Sequence, residues 1–343
     1  MIFVTGGTGL VGSHLLLSLV LKYGRIRALK RSNSDIGQVR KLFLRHHEDG
    51  GSLFDLVEWC DGDILDLYSL EELLAGVETI YHCAAIVSFD GRERAAMIHN
   101  NVEGTANLVN AALHCGVKRM CHVSSNSALG SSRNGTPVTE ETSWIPARRN
   151  TGYSESKFFS EAEIWRGAEE GLEVVVVQPS IIVGPGKWAS GSSSFFPLIY
   201  RGLKFYPGGI TGFVDVRDVV DALLLLTGEA HFAQARGHKY LLSAENLSYR
   251  DFFREIAGAL GRPEPRYKAS KLMLEVAWRG AALWSLITGK RAVMTRETAA
   301  SARSENYFDG SAITRAFGWE YRPVKEAIRY TASCYLDELN PGP

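Results

Sequence analysis

Apolar positions along the chain fall into two alternating patterns. Short strand-like stretches occur at Ile2–Thr5, 25–30, 56–60, 79–83, 119–124 and 173–178, the last with an unbroken Val-Val-Val-Val run that reads as a strand buried on both faces. Between them, apolar residues return every three or four positions at Leu10–Tyr23, 95–115 and 153–170, the spacing of helices with one buried face. Strands that alternate with helices of this length imply βαβ units and a parallel sheet covered on both sides. Right-handed crossovers then give a doubly wound α/β fold.

The rhythm breaks after Pro179. Gly184-Pro185-Gly186 and Gly191-Ser192-Ser193-Ser194 are loop signals. A strand and helix resume over 213–226, and 239–242 reads as one more strand. Helical patterns then cover 249–260, 269–288 and 310–317. The expected organisation is a larger sheet domain, residues 1–179 plus 213–243, and a smaller, mainly helical lobe, residues 180–212 plus 244–343. In open sheets of this kind ligands bind outside the carboxyl ends of the strands, so the cleft between the lobes is the expected site.

Composition changes this picture little. The 343 residues are 45% hydrophobic and 22% charged, and the 38 basic residues balance the 38 acidic ones. Such a balance gives no sign of a nucleic-acid partner. The five cysteines form no CxxC pair, so no metal site is expected and the thiols read as reduced. Met1 runs straight into an apolar strand with no basic segment before it. No secretory leader is therefore expected, and a cytoplasmic protein is. The stretch 272–288 is rich in Leu, Ala and Trp but is interrupted by Glu275 and Arg279. It reads as an amphipathic helix of the soluble body, with membrane-surface contact as the lesser alternative.

The chemistry begins at the first turn. Thr5-Gly6-Gly7-Thr8-Gly9-Leu10-Val11-Gly12 joins the first strand to the first helix. Glycines at 6, 9 and 12 permit a tight turn, close backbone approach to a pyrophosphate and close helix–strand packing. The phosphates then sit on the free N–H groups of the helix. A dinucleotide that carries NAD's free ribose usually meets an acid about 20 residues on. Here the second strand ends Leu29-Lys30-Arg31-Ser32, whose cations suit the 2′-phosphate of NADP(H). NADP(H) is therefore preferred and NAD(H) possible, and Asp35 is the residue that overturns the preference if its loop folds back.

Tyr153 and Lys157 stand four apart at the head of a helix, one turn apart on one face. A free tyrosine titrates near 10. A neighbouring ammonium and an oxidised nicotinamide both favour phenolate, which suits Tyr153 to exchange a proton with a carbonyl or alcohol oxygen. Ser124, Ser125 and Asn126 follow a strand of the same sheet, where a hydroxyl can hold the substrate oxygen.

Taken in this order, the TGxxGxxG turn, the serine-bearing strand end and YxxxK resemble the extended short-chain dehydrogenases/reductases, most strongly over residues 1–230. The resemblance implies a Rossmann-type sheet with a substrate-binding lobe, and Ser125 as catalytic serine with Ser124 the alternative. It places Asp63 and Ile64 beside adenine and Cys83-Ala84-Ala85 under the ribose and pyrophosphate. Asn101 falls near the active site among the cofactor contacts, and Gln178-Pro179-Ser180 beside the nicotinamide. Nucleotide-sugar dehydratases of the family carry Thr-Asp-Glu where this chain has Ser125-Asn126-Ser127, so dehydration is not expected. Epimerases often carry Tyr-Gly at Leu129-Gly130. The segments 26–31 and 213–219 resemble NADPH-dependent carbonyl and dihydroflavonol-type reductases. The 272–288 helix with Tyr307-Phe308-Asp309 resembles bacterial reductase-like and hydroxysteroid-dehydrogenase-like members.

The leading expectation is thus carbonyl–alcohol redox on a small molecule, with Ser88, Phe89, Asn126, Trp188, Phe195 and Phe196 as candidate pocket residues. A nucleotide-sugar 4-epimerase with tightly held NAD is the rival. An arginine reaching a diphosphate, Arg201, Arg291 or Arg296, supports the rival. A non-catalytic dinucleotide sensor comes third, because a pure binder has no use for Tyr153. A homodimer through helices 95–115 and 153–170 is also implied by the resemblance.

Overall fold

The computed structural model describes residues 1–132, 135–147, 150–288 and 295–340. Seven parallel strands form the central sheet: β1 (Ile2–Thr5), β2 (Ile26–Lys30), β3 (Val57–Asp61), β4 (Thr79–His82), β5 (Arg119–Val123), β6 (Glu173–Pro179) and β10 (Lys239–Leu242). Their order is β10-β6-β5-β4-β1-β2-β3, and each neighbouring pair is parallel. The chain leaves β1 toward β2 and later returns to β4 on the other side. That reversal opens a crevice at the carboxyl ends of β1 and β4, where the doubly wound fold holds its ligands.

Strand β6 shows why the apolar runs become central strands. Val175 and Val177 enter the core under the Leu10–Tyr23 and Val216–Thr227 helices, while Val174 and Val176 enter the core under the Gly104–His114 and Gly152–Glu169 helices. A strand with both faces buried has no need of polar alternation, and each valine contributes about 1.5 kcal/mol or more of burial.

Two elements depart from the sequence pattern. The helix expected over 95–115 is broken into Arg94–Ile98, a π turn His99–Glu103 and Gly104–His114. The π turn widens the helix at Asn101, which is drawn inward to bond other segments. The strand expected near 213 does not join the central sheet. Together with β7 (Ile181–Val183) and β11 (Glu245–Ser248), β9 (Ile210–Asp215) builds a second sheet of order β11-β9-β7. Only the helix after it, Val216–Thr227, packs back on Leu10–Tyr23. The remaining two strands, β8 (Phe205–Tyr206) and β12 (Tyr267–Lys268), pair with each other alone.

The second lobe has its own core. Phe196, Phe213, Phe252 and Ile256 pack with Ile328 and Tyr335 of the last helix, Val324–Leu339. No helix among the described residues is long and apolar enough to cross a membrane.

Candidate active site

The glycine turn is built by exclusion. Gly6 has φ +72°, and a Cβ there meets the backbone of Cys83 and Ala84 at 2.5 Å. A Cβ on Gly12 runs into the Gly6 carbonyl. Any side chain at either position forces the turn off β4 or the helix off the turn. Gly9 closes the turn by donating to Gly6 O at 2.9 Å, and it begins the Leu10–Tyr23 helix with no side-chain cap. The first N–H groups of that helix, at Leu10, Val11 and Gly12, are left for an anion. Thr8 stands at this rim, and Leu10 lies against Gly186 of the loop from the second lobe. The cradle therefore fits a dinucleotide pyrophosphate.

Around the cradle the structure places the residues expected to meet the cofactor as follows. Thr5 Oγ1 accepts from Ala84 N–H at 3.3 Å, fixing Cys83-Ala84-Ala85 beside the turn. Burial pushes the Cys83 thiol up to about 12, so it stays neutral. Asp63 accepts from Leu65 N–H, and Ile64 is buried against Gly104. At the end of β2, Lys30 is paired with Asp61 at 2.5 Å. The Asp35 carboxylate accepts from Gly37 N–H at 2.8 Å, in the turn before the Gly37–His46 helix. Arg31 is exposed and makes no ion pair among the described residues.

Thr151 caps the Gly152–Glu169 helix by accepting from Ser154 N–H at 3.0 Å, which puts Tyr153 in the first turn. Ser154 Oγ in turn donates to Ser127 O at 2.7 Å and ties the serine turn to the helix. The Tyr153 hydroxyl lies beside Ser125, and its ring meets Phe89 edge-on at 5.6 Å. Ser125 also accepts from Ser127 N–H and lies 3.3 Å from Asn126 Oδ1. Ser124, the alternative serine, is committed elsewhere: its hydroxyl donates to Glu161 at 2.6 Å.

Lys157 is 2% exposed and donates to Val123 O at 2.8 Å. Burial lowers its pKa to about 8 against the pull of Glu161. Tyr153 does not follow the simple expectation that the lysine favours phenolate. Burial pushes the phenol upward and outweighs the opposing influence of Ser125. The protein alone therefore holds Tyr153 in its protonated, proton-donating form.

Three features lay beyond the sequence pattern. Glu161 is 5% exposed, one turn past Lys157, and gathers Ser124, Gln178 Nε2 at 2.8 Å and Trp165 Nε1 at 3.3 Å. Its spacing of four from Lys157 was the available signal. Asn101, expected near the active site, spends its side chain on the protein. Its oxygen accepts from Ile86 N–H at 2.7 Å, and its amide donates to Ile86 O and Ser156 Oγ. It braces the loop after β4 against the catalytic helix. Beneath them His82 and His122 stack at 4.9 Å, with His82 held by Thr5 and Thr105. Burial lowers His82 to about 3, so that ring is neutral.

Not all pocket candidates converge. Phe89, Asn126 and Ser125 surround Tyr153, and Ser88 accepts from Asp90 N–H in the same loop as Phe89. Trp188 is turned away from them: its ring packs on Tyr335 at 5.0 Å and its N–H donates to Glu338. Phe196 is buried in the second-lobe core, and Phe195 packs on Phe252 and Phe253. Gln178 is held by Glu161, Pro179 continues β6 beside Leu242, and Ser180 N–H bonds Leu242 O. Arg201 and Arg296 are exposed, and Arg291 lies outside the described residues.

The family of NAD dependent epimerases/dehydratases matches this chain over residues 2–241. A putative dihydroflavonol 4-reductase of Synechocystis sp. is 28% identical over 95% of this chain and 92% of its own. Sterol demethylase protein B of Methylococcus capsulatus is 31% identical over 77% of this chain and 75% of its own. The fold also matches UDP-glucose 4-epimerase of Thermotoga maritima, solved with UDP-glucose. The TM-score is 0.77, with 99% of each chain covered and 19% identity. The chain belongs to the NAD-dependent epimerase/dehydratase family, the extended short-chain dehydrogenases/reductases. Within that family it is an oxidoreductase that works with a nicotinamide dinucleotide.

Proposed function

We propose that the protein is an NADP(H)-preferring carbonyl reductase acting reversibly on a small apolar carbonyl or alcohol. The observation that carries this reading is the placement of Ser125 beside the Tyr153 hydroxyl at the carboxyl edge of β5, with Lys157 anchored one turn further along the helix on Val123 O. When bound, the dinucleotide supplies or accepts a hydride at C4 of its nicotinamide. Ser125 holds the carbonyl oxygen, and Tyr153 gives it the phenolic proton. In the reverse direction Tyr153 takes that proton from the alcohol. Lys157 spends one N–H on Val123 O and has the others for ribose hydroxyls, and its charge steadies Tyr153 once the proton has left.

The ring of Phe89 against Tyr153 favours an apolar substrate over a sugar diphosphate. The unpaired Arg31 supports NADP(H), since a guanidinium at this edge suits a phosphate. Residues 1–179 with 216–243 form the dinucleotide domain in this reading, and 180–215 with 244–340 the substrate lobe. Five free cysteines fit a reducing compartment such as the cytoplasm. Self-association through the helices Gly104–His114 and Gly152–Glu169 belongs to the same reading.

The test is to denature the purified protein, identify any dinucleotide released, and titrate the emptied protein with NADPH and NADH. Tighter NADPH binding with little retained cofactor is expected. Retained stoichiometric NAD with weak NADPH binding moves the protein to 4-epimerisation.

A further inference from the structure

The helix Lys271–Thr288 turns an unusual face outward. Its inner side carries the buried Leu274 and the half-buried Trp278, four apart. Its outer side begins with Leu272, Met273 and Val276, which are 73%, 41% and 63% exposed. Ala277 and Gly280 continue that side, also exposed, and Arg279, paired with Glu275, is the charge that shares it. A surface helix of a globular protein normally presents its charges there. The helix follows two residues after β12, whose Tyr267 is 59% exposed and meets the exposed ring of Phe205 on β8 at 5.7 Å. Tyr267 and three aliphatic side chains thus lie exposed along one stretch of chain, with the ring of Phe205 from the paired strand beside Tyr267.

Charge tells which partner covers it. Lys204, Arg266, Lys268 and Lys271 flank the same segment, are exposed, and make no ion pair among the described residues. Glu275, the acid on the helix, is already taken by Arg279 at 2.5 Å and by Trp278 N–H. In a chain of formal charge zero this is a local basic excess beside an apolar face. An anionic lipid surface matches both parts: apolar side chains enter the acyl boundary, aromatic rings sit at headgroup level, and lysines meet phosphates.

We infer that the face formed by Phe205, Tyr267, Leu272, Met273 and Val276 docks the enzyme on an anionic membrane surface. The contact is peripheral, since no described helix spans a bilayer. It also has a place in the enzyme. The Lys271–Thr288 helix packs against Arg296–Ser301, whose Glu297 lies near Gly152 at the head of the Gly152–Glu169 helix. The docking face is therefore one short helix from the Tyr153 end of the cleft.

The test is flotation of the full chain with vesicles of phosphatidylcholine mixed with phosphatidylglycerol, against phosphatidylcholine alone, at low and high salt. Two double variants accompany it, Leu272→Ser with Val276→Ser and Lys268→Glu with Lys271→Glu. Thermal midpoint and NADPH titration check that each remains folded. The expected result is binding to the anionic vesicles that falls at least tenfold without phosphatidylglycerol and in either variant. Failure of the wild type to float with any vesicle overturns the inference. So does binding that both variants retain. Concentration-dependent dimerisation that the Leu272/Val276 variant abolishes assigns the face to a second copy and overturns it equally. None of these readouts depends on the carbonyl-reductase reading.

Discussion

The helices Gly152–Glu169 and Lys271–Thr288 are each 18 residues long, and they break the ordinary inside-out rule in opposite directions. The first buries polar residues: Ser156, Lys157, Ser160 and Glu161 all face the protein. The second exposes apolar ones, Leu272, Met273 and Val276. Burying Lys157 costs free energy that folding has to recover elsewhere, and exposing Leu272 forgoes burial that was available. Neither arrangement helps the fold. The first is explained by chemistry carried out in the cleft, and the second by a surface that meets something outside the molecule.

Substitutions separate those two explanations. The largest effect is expected for Tyr153→Phe, which removes only the proton donor. We expect kcat for carbonyl reduction to fall by about 10³-fold, with the thermal midpoint unchanged. A variant that keeps a tenth of the wild-type rate shows that another group delivers the proton.

Lys157→Met comes next. Its lowered pKa, about 8 against an ordinary 10.5, gives a definite sign. Below pH 8 the folded protein carries a buried ammonium that the unfolded chain carries in water. The native state is thereby penalised, by up to about 3 kcal/mol. The penalty shrinks as pH rises from about 8 toward 10.5, because the folded lysine has lost its proton and the unfolded one has not. Methionine removes the penalty. We expect kcat to fall by about 10²-fold while denaturant stability at pH 7 holds or rises. A large loss of stability instead assigns Lys157 a structural role through Val123 O. In the wild type, activity should decline on the alkaline side as Lys157 loses its charge, and that limb should vanish in the methionine variant.

A smaller effect is expected for Arg31→Ala. The Kd for NADPH should rise about tenfold with that for NADH unmoved, as read by fluorescence titration. Equal changes for both cofactors deny Arg31 contact with a 2′-phosphate. The smallest belongs to the other helix. Leu272→Ser, on an exposed site, should alter stability by less than about 0.5 kcal/mol. A loss of several kcal/mol shows that the residue is packed and removes the contrast between the two helices.

Much of the catalytic half was legible in the residue order. The run Val174 to Val177 announces a strand buried on both sides, and Gly6, Gly9 and Gly12 have no other economical use at a strand–helix junction. The spacing of Tyr153 and Lys157 places them on one face before any coordinates exist. The second lobe was less legible. Residues 213–215 read as one more strand of the main sheet, because a parallel partner looks the same in sequence whichever sheet supplies it. Trp188 and Phe196 read as pocket walls, since an aromatic residue after a loop has the same local pattern whether it lines a cleft or fills a core.

Local order along the chain by itself announced the sheet class, the glycine turn and the shared face of Tyr153 and Lys157, because each is carried by residue types at short spacings. Tertiary structure alone decided which serine meets Tyr153. Ser124 and Ser125 are neighbours with the same hydroxyl, and the buried carboxylate of Glu161 takes the first while the second lies beside Tyr153. It also decided that Asp35 holds the turn before a helix, that Asn101 braces a loop, and that burial outweighs the neighbouring serine at Tyr153. Desolvation and long-range hydrogen bonds depend on what is packed around a group, and that neighbourhood exists only once distant segments have met.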